Sequence, residues 1–205
     1  DYYDYFKIDE NKLGIIIADV SGKGVPASLI TAMCRSVVRA NADKTHCPAE
    51  VLRKVNYQLF PDIREDMFIS LAYVVLEENS GKIQIARAGH DAPLHYSVNK
   101  NNIEPINSPG IAIGIDSGKV FDKSIQSIEL EMNQGDFLLL YTDGVNEASD
   151  IRGEEFGTKR LYETLINTSM LGSKEVVEGI QEKVTKFAGN VPQNDDITLI
   201  AINRI

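Results

Sequence analysis

The stretch Leu13-Gly14-Ile15-Ile16-Ile17-Ala18-Asp19-Val20 is an apolar run with one charged residue, an aspartate, near its end. It is followed by the turn Ser21-Gly22-Lys23-Gly24, and this pattern is typical of a buried β-strand. A carboxylate at the exit of a buried strand is held by a rigid element and still lies at the rim of the sheet. The stretch therefore predicts a buried strand and, at Asp19, a ligand for a hard cation such as Mg²⁺ or Mn²⁺.

Other aspartates occupy comparable positions elsewhere in the chain. Asp143 follows the apolar run Phe137–Tyr141, Asp195 and Asp196 precede the last apolar run, and Asp1 opens the chain. A single aspartate after a strand often only starts a turn. Several in one chain, two of them inside distinctive motifs, favour loops that converge on a metal pair.

The hydrophobic pattern groups the helices together instead of alternating them with strands. Strands are predicted at residues 2–8, 13–20, 68–76, 82–88, 94–98, 124–130, 136–141 and 197–202. Helices are predicted at residues 24–43, 48–60, 158–167 and 173–187. Residues 99–102 are expected to form a turn, and the strands at 124–130 and 136–141 are expected to pair through Asn133-Gln134-Gly135. This order predicts the α+β class, with two antiparallel β-sheets packed face to face and each covered by a helix pair.

Length, charge and cysteine content restrict the class of protein. The chain has 205 residues and a net charge of -9, which suits one domain over residues 1–205 and argues against non-specific nucleic-acid binding. Cys34 and Cys47 lack zinc-ligand spacing, and Cys34 lacks the Arg-rich loop of a cysteine phosphatase. No signal peptide or membrane-spanning run is visible, so a cytoplasmic location is expected. The abrupt start at Asp1 suggests a domain cut from a longer regulatory protein, which could itself be membrane-anchored through another domain.

Six short motifs carry a family resemblance. They are Asp-Tyr-Tyr-Asp (1–4), Ala-Asp-Val-Ser-Gly-Lys-Gly-Val-Pro-Ala (18–27), Met-Phe-Ile-Ser-Leu (67–71), Ala-Gly-His (88–90), Tyr-Thr-Asp-Gly-Val-Asn-Glu-Ala (141–148) and Asp-Asp-Ile-Thr-Leu (195–199). In this order the set resembles the SpoIIE/RsbU-type branch of the metal-dependent (type 2C, PPM) Ser/Thr protein phosphatases. The resemblance implies a four-layer αββα sandwich with two Mn²⁺ or Mg²⁺ ions at one edge. It also implies hydrolysis of phosphoserine or phosphothreonine by a metal-activated water.

The resemblance also assigns roles to the aspartates. Asp19 is expected to bridge both metals, while Asp143 and Asp195 are expected to hold one. Asp1 matches the acid that ends the family's Gly-Gly-Asp start, although the two glycines are absent here. Asp196 stands where the superfamily often has Asn and is expected to act on the metals through their ligands. The predicted catalytic residues are Asp19, Asp143 and Asp195, and the predicted metal-binding residues are Asp1, Asp19, Val20 through its carbonyl, Asp143, Asp195 and Asp196.

The role implied for the chain is partner switching in bacterial signalling. The expected substrate is a phosphorylated protein, a small anti-sigma-factor antagonist, and a fused sensor or a separate activator is expected to set the activity. A homodimer is possible, and nucleic acid is not expected as a partner. Two alternatives stay open: a catalytically silent binding module with the same fold, against which the intact aspartates argue, and a metal hydrolase of small phosphate esters. His90 is a candidate general acid, although a structural role fits it better. Arg35, Arg39 and Arg87 are candidates for phosphate contacts, although a solvated helix or strand face fits them better.

Overall fold

The computed structural model describes residues 1–42 and 47–205 and contains nine strands there. The apolar run from Leu13 to Val20 lies in the second of them. The strands are β1 (Tyr2–Lys7), β2 (Lys12–Val20), β3 (Ile69–Glu77), β4 (Lys82–Ala88), β5 (Leu94–Ser97), β6 (Asn102–Pro105), β7 (Ser127–Glu131), β8 (Phe137–Tyr141) and β9 (Leu199–Asn203). The helices are α1 (Val25–Ala42), α2 (Pro48–Leu59), α3 (Phe121–Ser124), α4 (Gly157–Ser169) and α5 (Ser173–Ala188). Within the described part of the chain, no helix is long and apolar enough to cross a membrane.

The first of two compact units contains a five-stranded sheet in the order β1-β2-β3-β4-β7, with every neighbouring pair antiparallel. It is built from Asp1–Ala92 and Asn107–Glu131 and includes α1, α2 and α3. Ile16 of β2 shares a hydrophobic core with Val38 of α1 and Leu52 of α2. Ile15 and Ile17 are buried as well, so β2 is buried on both faces, as its continuous apolar run predicts. Full burial of each isoleucine contributes about 1.5–3 kcal/mol.

The second unit contains a four-stranded antiparallel sheet in the order β6-β5-β8-β9. It is built from Pro93–Ile106 and Met132–Ile205 and includes α4 and α5. Its core joins Leu139 of β8 to Leu161 of α4 and Ile180 of α5. Each unit therefore has a sheet and at least two helices that share its core. The prediction of one domain over residues 1–205 stays a prediction.

The strand pairing expected around Asn133-Gln134-Gly135 is wrong. Gly135 does lie in a turn, with φ at +85°, but β7 belongs to the first sheet beside β4, whereas β8 lies between β5 and β9 in the second. The two strands differ in character, because β7 has a mixed burial pattern and forms a sheet edge, while every residue of β8 is buried. An apolar pattern marks a strand, but it does not choose the strand's partner.

Smaller differences concern short elements and one helix end. The expected turn at residues 99–102 runs into β6, an edge strand with no buried residue, and the one-turn helix α3 was not expected. Helix α1 ends at Ala42 within the described residues; the predicted end at Asp43 lies outside them, as does His46. The other predicted helices and strands are confirmed to within a few residues of their ends.

Candidate active site

Asp143 lies in a rigid turn directly after β8. Thr142 is extended, and residues Asp143–Val145 then form one turn of 3-10 helix. The backbone N–H of Glu147 donates to the Asp143 carbonyl at 2.9 Å, and that of Val145 donates to the Thr142 carbonyl at 3.1 Å. The Asp143 side chain is half-buried. This turn fixes the backbone from which the Asp143 carboxylate projects, as a metal ligand requires.

Thr142 ties this turn to the loop that carries Asp195 and Asp196. It is fully buried, and its backbone N–H donates to the Thr198 carbonyl at 3.2 Å. The Thr142 hydroxyl accepts the Thr198 N–H at 3.0 Å and lies 3.4 Å from the Asp196 carbonyl, to which it donates. These three contacts fix one acidic loop against the other.

Gly144 brings the same two loops into backbone contact. A Cβ on Gly144 would lie 2.1 Å from the Asp196 carbonyl oxygen and 3.4 Å from that of Asp195. The glycine is therefore needed for a close approach of two backbones, since any side chain would push them apart. The structure thus places two of the predicted acidic loops side by side within the second unit.

Asp19 and Val20 end β2 in the first unit. In the β2–β3 ladder, Asp19 pairs with Ser70 and Val20 pairs with Ile69. The next residue, Ser21, donates its N–H to the Phe68 carbonyl at 3.0 Å, and its hydroxyl accepts the Phe68 N–H at 2.7 Å. Asp19 is half-buried, while Val20 is buried. The turn after Asp19 is therefore bound to the start of β3 and positions this carboxylate.

Asp1 lies one residue before β1 and is exposed. The first pair of the β1–β2 ladder is Tyr2 with Ala18, so the register continued by one residue places Asp1 opposite Asp19. The two predicted ligands Asp1 and Asp19 thus belong to the same end of the β1–β2 hairpin.

His90 is buried beside the strand residue that pairs with Asp19. Its Nδ1 lies 2.9 Å from the Ser70 hydroxyl oxygen, and its carbonyl accepts a hydrogen bond from the Arg87 guanidinium. A second Arg87 nitrogen donates to the Ser108 carbonyl at 3.2 Å. These contacts give His90 and Arg87 structural roles in the first unit.

Arg39 also has a carboxylate partner in the structure. It donates two hydrogen bonds of 2.7 Å to Asp4, and its guanidinium stacks over Phe6. The Arg39 hydrogen bond lowers the pKa of the Asp4 carboxyl, and a hydrogen bond from Tyr2 acts in the same direction. Arg39 therefore joins α1 to β1, a role that its position in the sequence did not indicate.

The donor set fits a hard cation by its chemistry. Carboxylates and a backbone carbonyl are the ligands that Mg²⁺ and Mn²⁺ prefer, and the Gly144 contact holds the loops of Asp143 and Asp195 together. The predicted ligands divide between the units, with Asp1, Asp19 and Val20 in the first and Asp143, Asp195 and Asp196 in the second. Among residues 1–42 and 47–205, no cluster of three or more His, Cys, Asp or Glu side chains is close enough to hold a metal ion. Metal binding by these residues stays a prediction.

Sequence reasoning missed two residues that organise these loops. Thr142 was quoted within a motif but received no role, because a buried threonine beside an acidic turn has no distinctive pattern. Ser70, which pairs with Asp19 and contacts His90, likewise lies in a quoted motif without a role. Gly144 had a usable signal, since a glycine directly after a strand-end aspartate indicates a turn or a close approach.

Comparison with known proteins supports the family resemblance. The family model described as Stage II sporulation protein E (SpoIIE) matches residues 9–205. The phosphoserine phosphatase RsbU of Bacillus subtilis (strain 168) is 29% identical over 205 residues, which is 100% of this chain and 59% of RsbU. This chain thus spans about three fifths of that relative's length.

Solved structures show the same fold. The PP2C phosphatase domain of SpoIIE from Bacillus subtilis, solved with a fragment of its regulatory domain, has a TM-score of 0.80 at 14% identity, covering 98% of this chain and 57% of that chain. The RsbU and RsbW domains of Rv1364c from Mycobacterium tuberculosis give a TM-score of 0.77 at 21% identity, covering 100% of this chain and 55% of that chain. These likenesses confirm the predicted α+β sandwich class.

Proposed function

Because this chain belongs to the SpoIIE family, we propose that it is a metal-dependent protein phosphatase that hydrolyses phosphoserine or phosphothreonine in a protein substrate. The observation that carries the proposal is the backbone contact at Gly144, which holds the Asp143 turn against the loop of Asp195 and Asp196. The contact keeps the backbones of the two acidic loops side by side, which supports a metal-binding role for these acids.

The proposed cofactors are two divalent cations, Mn²⁺ or Mg²⁺. Bound ions of this kind lower the pKa of a coordinated water and neutralise charge on a phosphoryl group. The proposed ligands are Asp1, Asp19, the Val20 carbonyl, Asp143 and Asp195. Asp196 is proposed to position these ligands.

The chain's own residues supply the positioning of these ligands. Thr142 fixes the loop of Asp195 and Asp196 through its contacts with Thr198, and the Ser21 turn fixes the backbone after Asp19. The Asp195 carboxylate also accepts the Asp196 N–H at 2.8 Å, which orients it on its own backbone. Ligands held in this way lose little conformational entropy when a cation binds.

A cysteine nucleophile does not fit the structure. Cys34 is fully buried in the core of the first unit, and burial raises the pKa of its thiol to about 12. Cys47 is half-buried, with its sulfur 3.6 Å from the Ser127 hydroxyl oxygen. Because the thiolate is the reactive form of cysteine, Cys34 is inert at neutral pH. This supports a mechanism in which water, rather than a side chain, attacks phosphorus.

The proposed substrate is a small phosphorylated anti-sigma-factor antagonist. RsbU, to which this chain is similar, is a phosphoserine phosphatase, and Rv1364c joins an RsbU domain to an RsbW domain. We propose the same setting here, with a fused sensor or a separate activator controlling the domain, which could act as a homodimer. The expected cytoplasmic location belongs to this proposal.

The test is hydrolysis of para-nitrophenyl phosphate and of a phosphoserine protein, measured with Mn²⁺, with Mg²⁺ and after exhaustive chelation by EDTA. The proposal expects activity with one or both ions, none after chelation and recovery when the ion is restored. Full activity after chelation would refute the metal mechanism. A protein with no activity under any condition would instead be the silent binding module, and one that hydrolyses only the small ester would not be a protein phosphatase.

A further inference from the structure

A cavity of about 270 Å³ lies in the second unit beside the loop that carries Asp195. The last turn of α5 forms one wall with Val184 and Ala188, and Ile197 adds a further apolar surface. Gly144 and Glu147, from the turn that begins at Asp143, form another side. The cavity therefore touches both of the loops that supply proposed metal ligands in this unit.

The electrostatic character of the cavity is negative. Its lining, all of it within the described residues, contains the two acids Glu147 and Asp195 and no Lys, Arg or His. Helix α5 also ends at this cavity, since Ala188 and Gly189 both line it. The C-terminal end of a helix carries a partial negative charge of about half an elementary charge. A cationic group is favoured here even when Asp195 is engaged by a metal, because Glu147 and the helix end remain.

The size and the lining restrict the occupant further. Sites for small organic ligands usually measure about 300–1,000 Å³, so this cavity suits a single long side chain better than a complete metabolite. The wall formed by Val184, Ala188 and Ile197 is apolar, while the charged groups lie elsewhere in the lining. Lysine and arginine match this arrangement, because they combine an aliphatic stem with a cationic head.

We propose that this cavity is a specificity pocket for a lysine or arginine side chain of the phosphoprotein, near the phosphorylated residue. The inference rests on the proposed function, since it places the phosphate at the metal ligands that border the cavity. Because Gly144 and Asp195 line the cavity, the basic residue is expected close to the phosphoserine in the substrate sequence. An exposed charge pair favours a lysine substrate by about 1.4- to fivefold.

The test uses phosphoserine peptides of equal length that carry lysine or norleucine at each neighbouring position in turn. Norleucine keeps the aliphatic stem and lacks the charge, so the ratio of kcat/KM for the two peptides isolates the electrostatic contribution. The ratio is measured in the wild type, in Glu147→Gln and in Glu182→Gln. Glu182 is an exposed acid on α5 that does not line the cavity and controls for the general loss of one negative charge.

Peptide binding is measured in parallel by fluorescence anisotropy. The proposal expects a lysine preference at one position, retained in Glu182→Gln and reduced in Glu147→Gln to the smaller preference that Asp195 and the end of α5 still support. The absence of any preference in the wild type, or an undiminished preference in Glu147→Gln, would overturn it. An inactive wild type would contradict the proposed function, whereas the lysine-to-norleucine affinity ratio would still decide the role of the cavity.

Discussion

Replacing Gly144 by alanine tests the backbone contact on which the proposed function depends. The new Cβ would lie 2.1 Å from the Asp196 carbonyl oxygen and 3.0 Å from the carbonyl carbon. Both are backbone atoms that cannot rotate away, and comfortable non-bonded contact begins at about 3.5 Å. The loop of Asp195 and Asp196 must therefore move away from the Asp143 turn by roughly 1 Å.

The expected effects on stability and on activity differ in size. Overpacking of this kind costs about 1–3 kcal/mol in the free energy of unfolding. A displacement of about 1 Å in groups that position a reaction can lower the rate roughly 100-fold. We therefore expect Gly144→Ala to fold, to melt at a lower temperature and to lose about two orders of magnitude in kcat, with more Mn²⁺ needed for half-maximal activity.

The assay is a Mn²⁺ titration of para-nitrophenyl phosphate hydrolysis, with a thermal melt of the same sample. Gly153→Ala is the matched control, because Gly153 has φ at +78° and no described atom lies within 4 Å of its Cβ. Alanine there costs about 1–2 kcal/mol of backbone strain without a collision. Gly153→Ala should therefore keep wild-type activity, although its free energy of unfolding falls about as much as that of Gly144→Ala. Wild-type kcat and Mn²⁺ dependence in Gly144→Ala would refute the claim that this contact organises the site.

Three further predictions concern charge and ionisation. Asp19→Asn and Asp143→Asn should each abolish turnover. Their metal-free melting temperatures should equal or exceed that of the wild type, because a repelling carboxylate is removed. A large loss of metal-free stability would show that these acids are structural. Maleimide treatment of the native protein should leave activity intact and Cys34 unmodified by mass spectrometry, because that thiol is buried and its pKa is raised to about 12. Burial alone would raise the pKa of Asp136, but hydrogen bonds, the strongest from the Asn133 N–H, lower it below the ordinary value of 3.8. The stabilisation is therefore complete well above pH 3.8 and is lost as pH falls below 3.8 and through the lower pKa of the folded state. Melts across this range should show a steep acid limb in the wild type and a flatter one in Asp136→Asn.

The sequence predicted best those parts of the fold that depend on local pattern. The run that became β8 is apolar throughout and that of β2 is apolar except for Asp19, because most residues of both strands are buried, and the helix pair α4 and α5 shows helical periodicity. The short edge strand β6 was missed because it buries no residue and so has no hydrophobic pattern. The partner of β7 was missed because strand pairing is decided by contacts between distant residues.

The candidate site also combines features that a local sequence pattern reveals with contacts between distant residues that it does not reveal. The acidic positions Asp143 and Asp195 stand out in the sequence because the first follows a recognisable strand and the second precedes one. The contacts that bring their loops together could not, since a glycine needed for close approach is indistinguishable in sequence from one needed for a turn. Thr142 was overlooked for a related reason, because its partners are Asp196 and Thr198, more than fifty positions along the chain.

The hydrogen bond between Thr142 and Thr198 has a consequence for the order in which the chain becomes active during synthesis. The two residues are 56 positions apart, and α4 and α5 lie between them. A ribosome must therefore make both helices and reach Thr198 before the Asp143 turn acquires its neighbouring loop. Contacts of such long range form late in folding, because the intervening chain must first be ordered. Under the proposed function, a nascent chain that carries Asp19 and Asp143 but not yet Thr198 is expected to lack phosphatase activity.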